Sequence, residues 1–154
     1  MIANFGSDFD MSEAAPPALL KERLAGLAAF LPEFESPDFQ FGHWVEEKPT
    51  SKPGFSTFPY YCLDQRANAF VKTAYDFGWV LCDFDWGEWK GTSEAINLRD
   101  DPSGLDQATP EQLARLLTVC IRQDRFVEGG LGAAFESGLL TGIVRRAAAL
   151  LEDN

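Results

Sequence analysis

The chain has 154 residues, of which 45% are hydrophobic, 13% aromatic and 24% charged, and its formal net charge is -11. This length is typical of one domain, and the apolar content is high enough to bury a core, so general disorder is excluded. The acidic charge disfavours direct binding to DNA or RNA, because affinity for a phosphate backbone comes mainly from Lys and Arg.

The N-terminal part predicts an arm, one helix and one long loop. Residues 1–10 are acidic with isolated aromatic residues, which predicts an arm that docks or stays mobile. Pro32 is expected to end the helix that follows. The stripe of that helix, with steps of four, three and four, consists of Leu20, Leu24, Leu27 and Leu31. Residues 33–59 contain several prolines and glycines without a persistent period, which predicts an irregular loop.

Two elements are predicted in the middle of the chain. Apolar positions over residues 60–77, among them Cys62, suit a second helix, and Gly78 follows where a left-handed helix cap is favoured. The run 79–86 is compatible with a short strand, but Asp85 with Glu88 three residues later resembles a capping box. We therefore prefer a turn that leads into a short helix.

The clearest helix start in the sequence lies at Thr109. After a loop, Thr109 supplies an N-cap, Pro110 a proline in the first turn and Gln112 a reciprocal side chain. This helix is predicted to reach about Gln123, and a short helical segment and a final helix with inward apolar positions follow it.

These elements predict a mainly α fold: a compact bundle of about five helices in a single domain spanning residues 1–154, with one long irregular loop at 33–59. No run approaches the roughly 18 apolar residues of a membrane span, and the first residues lack the pattern of a signal peptide. The three cysteines are odd in number and lie among apolar neighbours, which is typical of reduced, buried thiols in a cytosolic protein, and we expect no disulfide. We expect a cytoplasmic protein that binds no membrane.

A motif near the C-terminus carries a family resemblance. From Thr118 to Leu131 the sequence reads Thr-Val-Cys-Ile-Arg-Gln-Asp-Arg-Phe-Val-Glu-Gly-Gly-Leu, and Phe-Glu-Ser-Gly follows at 135–138. Together with Phe-Asp-Trp at 84–86, this pattern resembles a bacterial and phage-associated family of unknown function. The resemblance covers roughly residue 70 onwards, and it implies a helical fold and no activity.

Five charged residues of this motif lie around two predicted helix joints that also contain glycines. Opposite charges can meet there while the small residues let the backbones approach, so we interpret the five as a structural ion-pair network that holds the helix order. They are Arg122, Asp124, Arg125, Glu128 and Glu136. The alternative interpretation is that Arg122 and Arg125 capture an anion.

Acidic and aromatic residues alternate in a second segment, formed by Asp83, Asp85, Trp86, Glu88 and Trp89. The carboxylates suit a divalent cation in type, but spacing alone does not show that they converge, and no lysine or histidine base accompanies them. A solvated helix cap with buried tryptophans is favoured. The alternative is a partner-binding surface in which aromatic anchors are ringed by polar groups.

The sequence predicts no catalytic residue, metal site or cofactor. His43 is the single histidine, which excludes a centre with several histidines. A nucleophile pair of His43 with Cys62 is disfavoured because Cys62 falls on the predicted apolar face of a helix. The glycine-rich and nucleophile motifs of nucleotide, cofactor and hydrolase enzymes are absent.

Three classes of function remain open. We favour a non-catalytic acidic protein-binding module, which uses a surface within residues 33–106. A sharper version is a nucleic-acid mimic that inhibits a DNA- or RNA-binding defence protein, because residues 1–108 carry 18 acidic and 8 basic side chains. The alternatives are a small metal-dependent hydrolase using Asp83, Asp85 and Glu88, and a self-assembling structural protein. A protein partner is expected in the favoured class, and the oligomeric state is left open.

Overall fold

A computed structural model describes residues 17–46, 59–101 and 103–153 of the protein. The predicted mainly α, single-domain fold is confirmed. The helices are α1 (Pro17–Ala28), α2 (Leu31–Phe34), α3 (Gln65–Asp76), α4 (Trp86–Trp89), α5 (Ser93–Asp100), α6 (Pro110–Gln123), α7 (Gly130–Glu136) and α8 (Leu139–Glu152). The strands are β1 (Gly42–Val45) and β2 (Tyr60–Leu63). The predicted arm at 1–10 lies outside the described residues.

Three leucines of the predicted stripe lie on α1 and pack in or against the core, whereas the fourth, Leu31, is the first residue of α2. Leu24 and Leu27 are fully buried, and α1 packs mainly against α8. The helix ends at Ala28, before Pro32, and Pro32 lies in the first turn of α2. A proline is tolerated there because the first N–H groups of a helix have no partner within the helix.

Residues 33–46 and 59–63 are more ordered than the irregular loop predicted at 33–59, and the rest of that predicted loop lies outside the described residues. β1 pairs with β2 in an antiparallel hairpin, in which His43 lies opposite Cys62 and Trp44 opposite Tyr61. The prediction of a helix from residue 60 was therefore wrong for its first turn. The helix α3 begins at Gln65, after Asp64 accepts a hydrogen bond from the Arg66 amide. Local periodicity fails here because a four-residue strand depends on a partner that is distant in sequence.

The helix starts predicted at Asp85 and Thr109 are confirmed, and of these two only Thr109 begins a complete capping box. The Asp85 carboxylate accepts a hydrogen bond from the Glu88 amide at the start of α4. Thr109 and Gln112 form a complete capping box at the start of α6. The sequence interpretation missed α5 and the 3₁₀ turn that follows it, because their apolar positions are too few to show a period.

The core is dominated by aromatic and aliphatic side chains from α1, α3, α6 and α8, with Trp79 and Phe70 among the largest fully buried residues. Thr118 is buried within it and accepts a hydrogen bond from the Leu81 amide while its hydroxyl donates to the Ala114 carbonyl. Among the described segments, no helix is long and apolar enough to cross a bilayer.

Candidate functional site: an exposed aromatic surface

Two apolar side chains of the C-terminal motif project into solvent. Phe126 and Val127 are 77% and 48% exposed, whereas folding normally buries such residues. The Phe126 ring lies 6.2 Å from the Trp86 ring, and the Lys90 Nζ atom lies 5.6 Å from the centre of that indole. Aromatic groups from two distant parts of the sequence therefore meet at the surface.

The turn between α6 and α7 holds Phe126 and Val127 in this position. Their amides both donate to the Gln123 carbonyl, so the chain leaves α6 in a tight turn. The Asp124 Oδ1 atom accepts a hydrogen bond of 2.9 Å from the Leu131 amide in the first turn of α7. With its backbone bonded on both sides, the turn directs the two apolar side chains outward.

The hairpin covers the other side of this turn. The Glu128 Oε2 atom accepts a hydrogen bond of 2.8 Å from the Tyr61 amide, which joins the turn to β2. Trp44, which is 53% exposed, packs edge-on against Tyr61 and lies over Gly129. We use the name aromatic surface for Trp44, Trp86, Phe126 and Val127, which border the same turn.

Carboxylates flank the Trp86 side of the aromatic surface. Asp83, Asp85 and Glu88 are exposed around the start of α4, next to the half-buried Trp86. Trp89 differs from the expectation for a partner-binding residue, because it is 8% exposed and belongs to the core. Its indole donates a 2.9 Å hydrogen bond to the Glu94 carboxylate. The one-turn helix α4 packs on α6 and buries Trp89 against it.

The three carboxylates are not gathered into a metal centre. Within the described residues, no group of three His, Cys, Asp or Glu side chains is placed to hold a metal ion. Asp85 accepts the hydrogen bond that caps α4, so one of its oxygens is already in use. The arrangement therefore gives the metal-dependent hydrolase no support.

The charged residues of the C-terminal motif were predicted to form an ion-pair network, and the structure gives them other partners. These residues are Arg122, Asp124, Arg125, Glu128 and Glu136. In the described segments, none of the five forms an ion pair with another member. Asp124 and Glu128 accept hydrogen bonds from backbone amides instead. The turn and the hairpin supply these amides, which the sequence spacing does not reveal.

Two carboxylates of the motif affect the pKa of Tyr61, which lies in the hairpin. The pKa of Tyr61 is raised, mainly by burial and then by the negative charges of Glu136 and Asp124. Its ring packs against Gly132, where a side chain would leave no room for it.

The two arginines of the motif differ in their surroundings. The Arg122 Nε atom is buried and makes no hydrogen bond within the described part of the chain. Arg125 is exposed.

His43 and Cys62 are opposite one another in the hairpin, which the sequence did not predict. The Cys62 Sγ atom contacts the Leu63 carbonyl at 3.9 Å rather than the imidazole. The pairing register of the hairpin explains why His43 and Cys62 are neighbours. The contacts of Cys62 give no sign that its thiol is activated.

A half-open cavity of about 330 Å³ lies beside the aromatic surface. It is bordered by the end of α4, by α5, α6 and α7, and by the start of α8, and its lining includes Lys90, Arg99 and Cys120. The sequence interpretation missed this cavity because it missed α5. The Thr92 N-cap, which accepts a hydrogen bond from the Ala95 amide, is the signal that could have revealed that helix.

Comparison with known proteins adds a family but no activity. A model described as a family of unknown function, DUF6508, matches residues 19–153. No curated protein and no solved structure matches the chain.

Proposed function

Because the chain belongs to this family of unknown function, we propose its role from its surface: it is a non-catalytic module that binds a protein partner through the aromatic surface and the adjacent carboxylates. Apolar rings bordered by charged side chains are suited to contact another protein. This proposal retains the favoured class from the sequence and changes which residues make the contact.

The exposure of Phe126 is the observation that supports the proposal. Leaving a phenylalanine in solvent forgoes roughly 1.5–3 kcal/mol of burial free energy, and the fold holds this ring outward through a hydrogen-bonded turn. Aromatic side chains at the centre of an exposed patch are the usual anchors of protein interfaces. Trp86, whose ring lies near that of Phe126, and Trp44, which lies over Gly129 in the same turn, extend the patch.

The carboxylates suggest the chemistry of the partner. Asp83 and Glu88 are exposed beside Trp86 and suit basic residues around an apolar centre. In the nucleic-acid-mimic version, the partner is a DNA- or RNA-binding protein and the charges contribute most of the recognition. In the other version, aromatic docking, the rings contribute most of the binding free energy and the charges affect mainly the association rate.

Capture from a lysate of the source cells with Phe126→Ala tests the proposal. Tyr75→Ala is the matched control, because Tyr75 is an aromatic residue on α3 that is 43% exposed. We expect Phe126→Ala to lose at least about tenfold of a specific captured protein, because truncating an anchor costs 2 kcal/mol or more. Equal capture by both variants and the unaltered chain would contradict the proposal.

A second pair of changes separates the two versions. Asp83→Lys with Glu88→Lys reverses charge beside the surface while leaving the Asp85 cap of α4 intact. A mimic should lose its partner in this variant and at raised salt, because long-range attraction is screened. A partner captured equally by the charge-reversed variant would exclude the mimic version and leave aromatic docking.

Self-association through the same surface is the second candidate function, favoured by the same exposed rings. Light scattering over a concentration series measures it directly. A dimer that dissociates in Phe126→Ala, but not in Tyr75→Ala, would identify the partner as a second copy of the chain.

A further inference from the structure

The cavity beside the aromatic surface has the features of a small-molecule site. Its volume of about 330 Å³ falls in the range of ligand pockets, which are mainly apolar with a few polar groups. Trp89, Leu116 and Cys120 contribute buried apolar surface to its lining. An apolar group can therefore be removed from water here.

The cysteine in the cavity lining, Cys120, is electrically neutral. Burial raises the pKa of the Cys120 thiol to about 12, although the positive charge of Arg99 acts in the opposite direction. Cys120 is thus a protonated, apolar group at neutral pH rather than a nucleophile or a metal ligand. Arg99 lines the same cavity, and its side chain is 41% exposed.

The polar part of the lining carries a small excess of positive charge. Lys90 and Arg99 border the cavity with one carboxylate, Asp100, so the three side chains carry one net positive charge. Asp100 contacts the Arg99 Nε atom at 3.1 Å, which engages one of the five guanidinium N–H groups. The Lys90 ammonium contacts the Gln123 amide oxygen at 3.3 Å. This excess is notable in a chain of net charge -11.

We infer that this cavity binds a small monocarboxylate with an unbranched apolar tail, such as a medium-chain fatty acid. One net positive charge suits a carboxylate better than a phosphate dianion, and a guanidinium can bind both carboxylate oxygens. The volume of about 330 Å³ lies near the lower end of the range for ligand pockets, so a small ligand such as octanoate is the appropriate probe. This inference does not depend on the proposed protein-binding function.

Isothermal titration of the full chain with octanoate tests the inference. Octylammonium, with the same tail and the opposite charge, and acetate, with the same head group and no tail, are the comparison ligands. We expect one octanoate per chain in the micromolar to low millimolar range and at least about tenfold weaker binding of the other two. The inference would be overturned if octylammonium bound as tightly as octanoate, or if octanoate did not bind at all.

Two variants locate the binding. Arg99→Gln should weaken octanoate binding at least about tenfold. Arg145→Gln is its matched control, since Arg145 also pairs with a carboxylate, that of Glu35, and does not line the cavity. Ala134→Leu, which fills the cavity, should abolish binding. Thermal unfolding checks that each variant folds, and if Ala134→Leu is unfolded, Arg99→Gln decides alone. Equal binding by the two arginine variants would overturn the inference.

Discussion

Trp44 lies directly on the backbone of Gly129: a Cβ atom at Gly129 would stand 2.5 Å from the Cζ2 atom of the indole. Gly129 also has a φ of +79°, which side-chain-bearing residues rarely adopt. This one glycine therefore permits both the turn that exposes Phe126 and the close approach of the hairpin.

Comparison of Gly129→Ala with Gly138→Ala should separate the cost of the backbone conformation from the cost of the clash with Trp44. Gly129→Ala is expected to destabilise the fold by about 2–4 kcal/mol, because backbone strain and the clash with Trp44 combine. Gly138→Ala is the matched control: its φ is +91°, but nothing lies within 4 Å of an added Cβ. It should cost about 1–2 kcal/mol. Denaturant unfolding measures both, and equal losses would show that the Trp44 contact contributes nothing.

Asp124 should contribute to stability through a backbone amide. Asp124→Ala leaves the Leu131 amide, which is partly buried, without its acceptor and is expected to cost about 1–3 kcal/mol. Arg125→Ala, an exposed neighbour in the same turn, should change the free energy of unfolding by less than about 0.5 kcal/mol. If Arg125→Ala costs as much as Asp124→Ala in denaturant unfolding, the ion-pair interpretation of the motif regains support.

Glu94 should make stability depend on acid pH. Its pKa is lowered, mainly by hydrogen bonds from the side chains of Gln112 and Trp89. A carboxylate with a lowered folded-state pKa stabilises the fold fully above its ordinary value of 4.5, and the contribution is lost as the pH falls through the folded-state pKa. Glu94→Gln should therefore reduce the melting temperature at pH 7 and make less difference at pH 3.

The expected effect of Glu94→Gln at pH 7 is no more than about 1 kcal/mol, because the side chain is partly exposed and solvent screens its charge. Glu152→Gln, an exposed glutamate at the end of α8, is the control. A difference between Glu94→Gln and the unaltered chain that grows towards low pH would contradict the assignment.

The three cysteines should react at different rates. Cys62 and Cys82 are exposed, so the prediction of three buried thiols was wrong for these two, whereas Cys120 is buried with its pKa raised to about 12. At pH 8, a thiol reagent should label two cysteines of the native protein rapidly, and the third only after denaturation. The double variant Cys62→Ser with Cys82→Ser should then show no fast reaction. A fast-reacting Cys120 in that variant would contradict the burial of this thiol.

The sequence predicted those elements whose signals are local. The capping residues Thr109 and Gln112 specify the start of α6 through hydrogen bonds within one helical turn. The leucines of α1 reveal their buried face because helix geometry alone sets their spacing. The mainly α class follows from such signals. The hairpin provides none of them, and α5 provides only its Thr92 N-cap.

The candidate site depended on contacts between distant segments. Sequence spacing marked Trp86 and the motif around Phe126 separately, but it did not bring them together or show that Phe126 is exposed and Trp89 buried. Nor could it show that the motif carboxylates accept hydrogen bonds from amides.

Helix periods and caps are properties of neighbouring residues, and the sequence by itself determined them. The tertiary structure alone decided which apolar side chains stay in water, which carboxylates accept a hydrogen bond from an amide, and that Arg99 and Cys120 line the same cavity. The physical reason is that burial and hydrogen-bond partners depend on packing between elements, and the same local pattern is compatible with several packings.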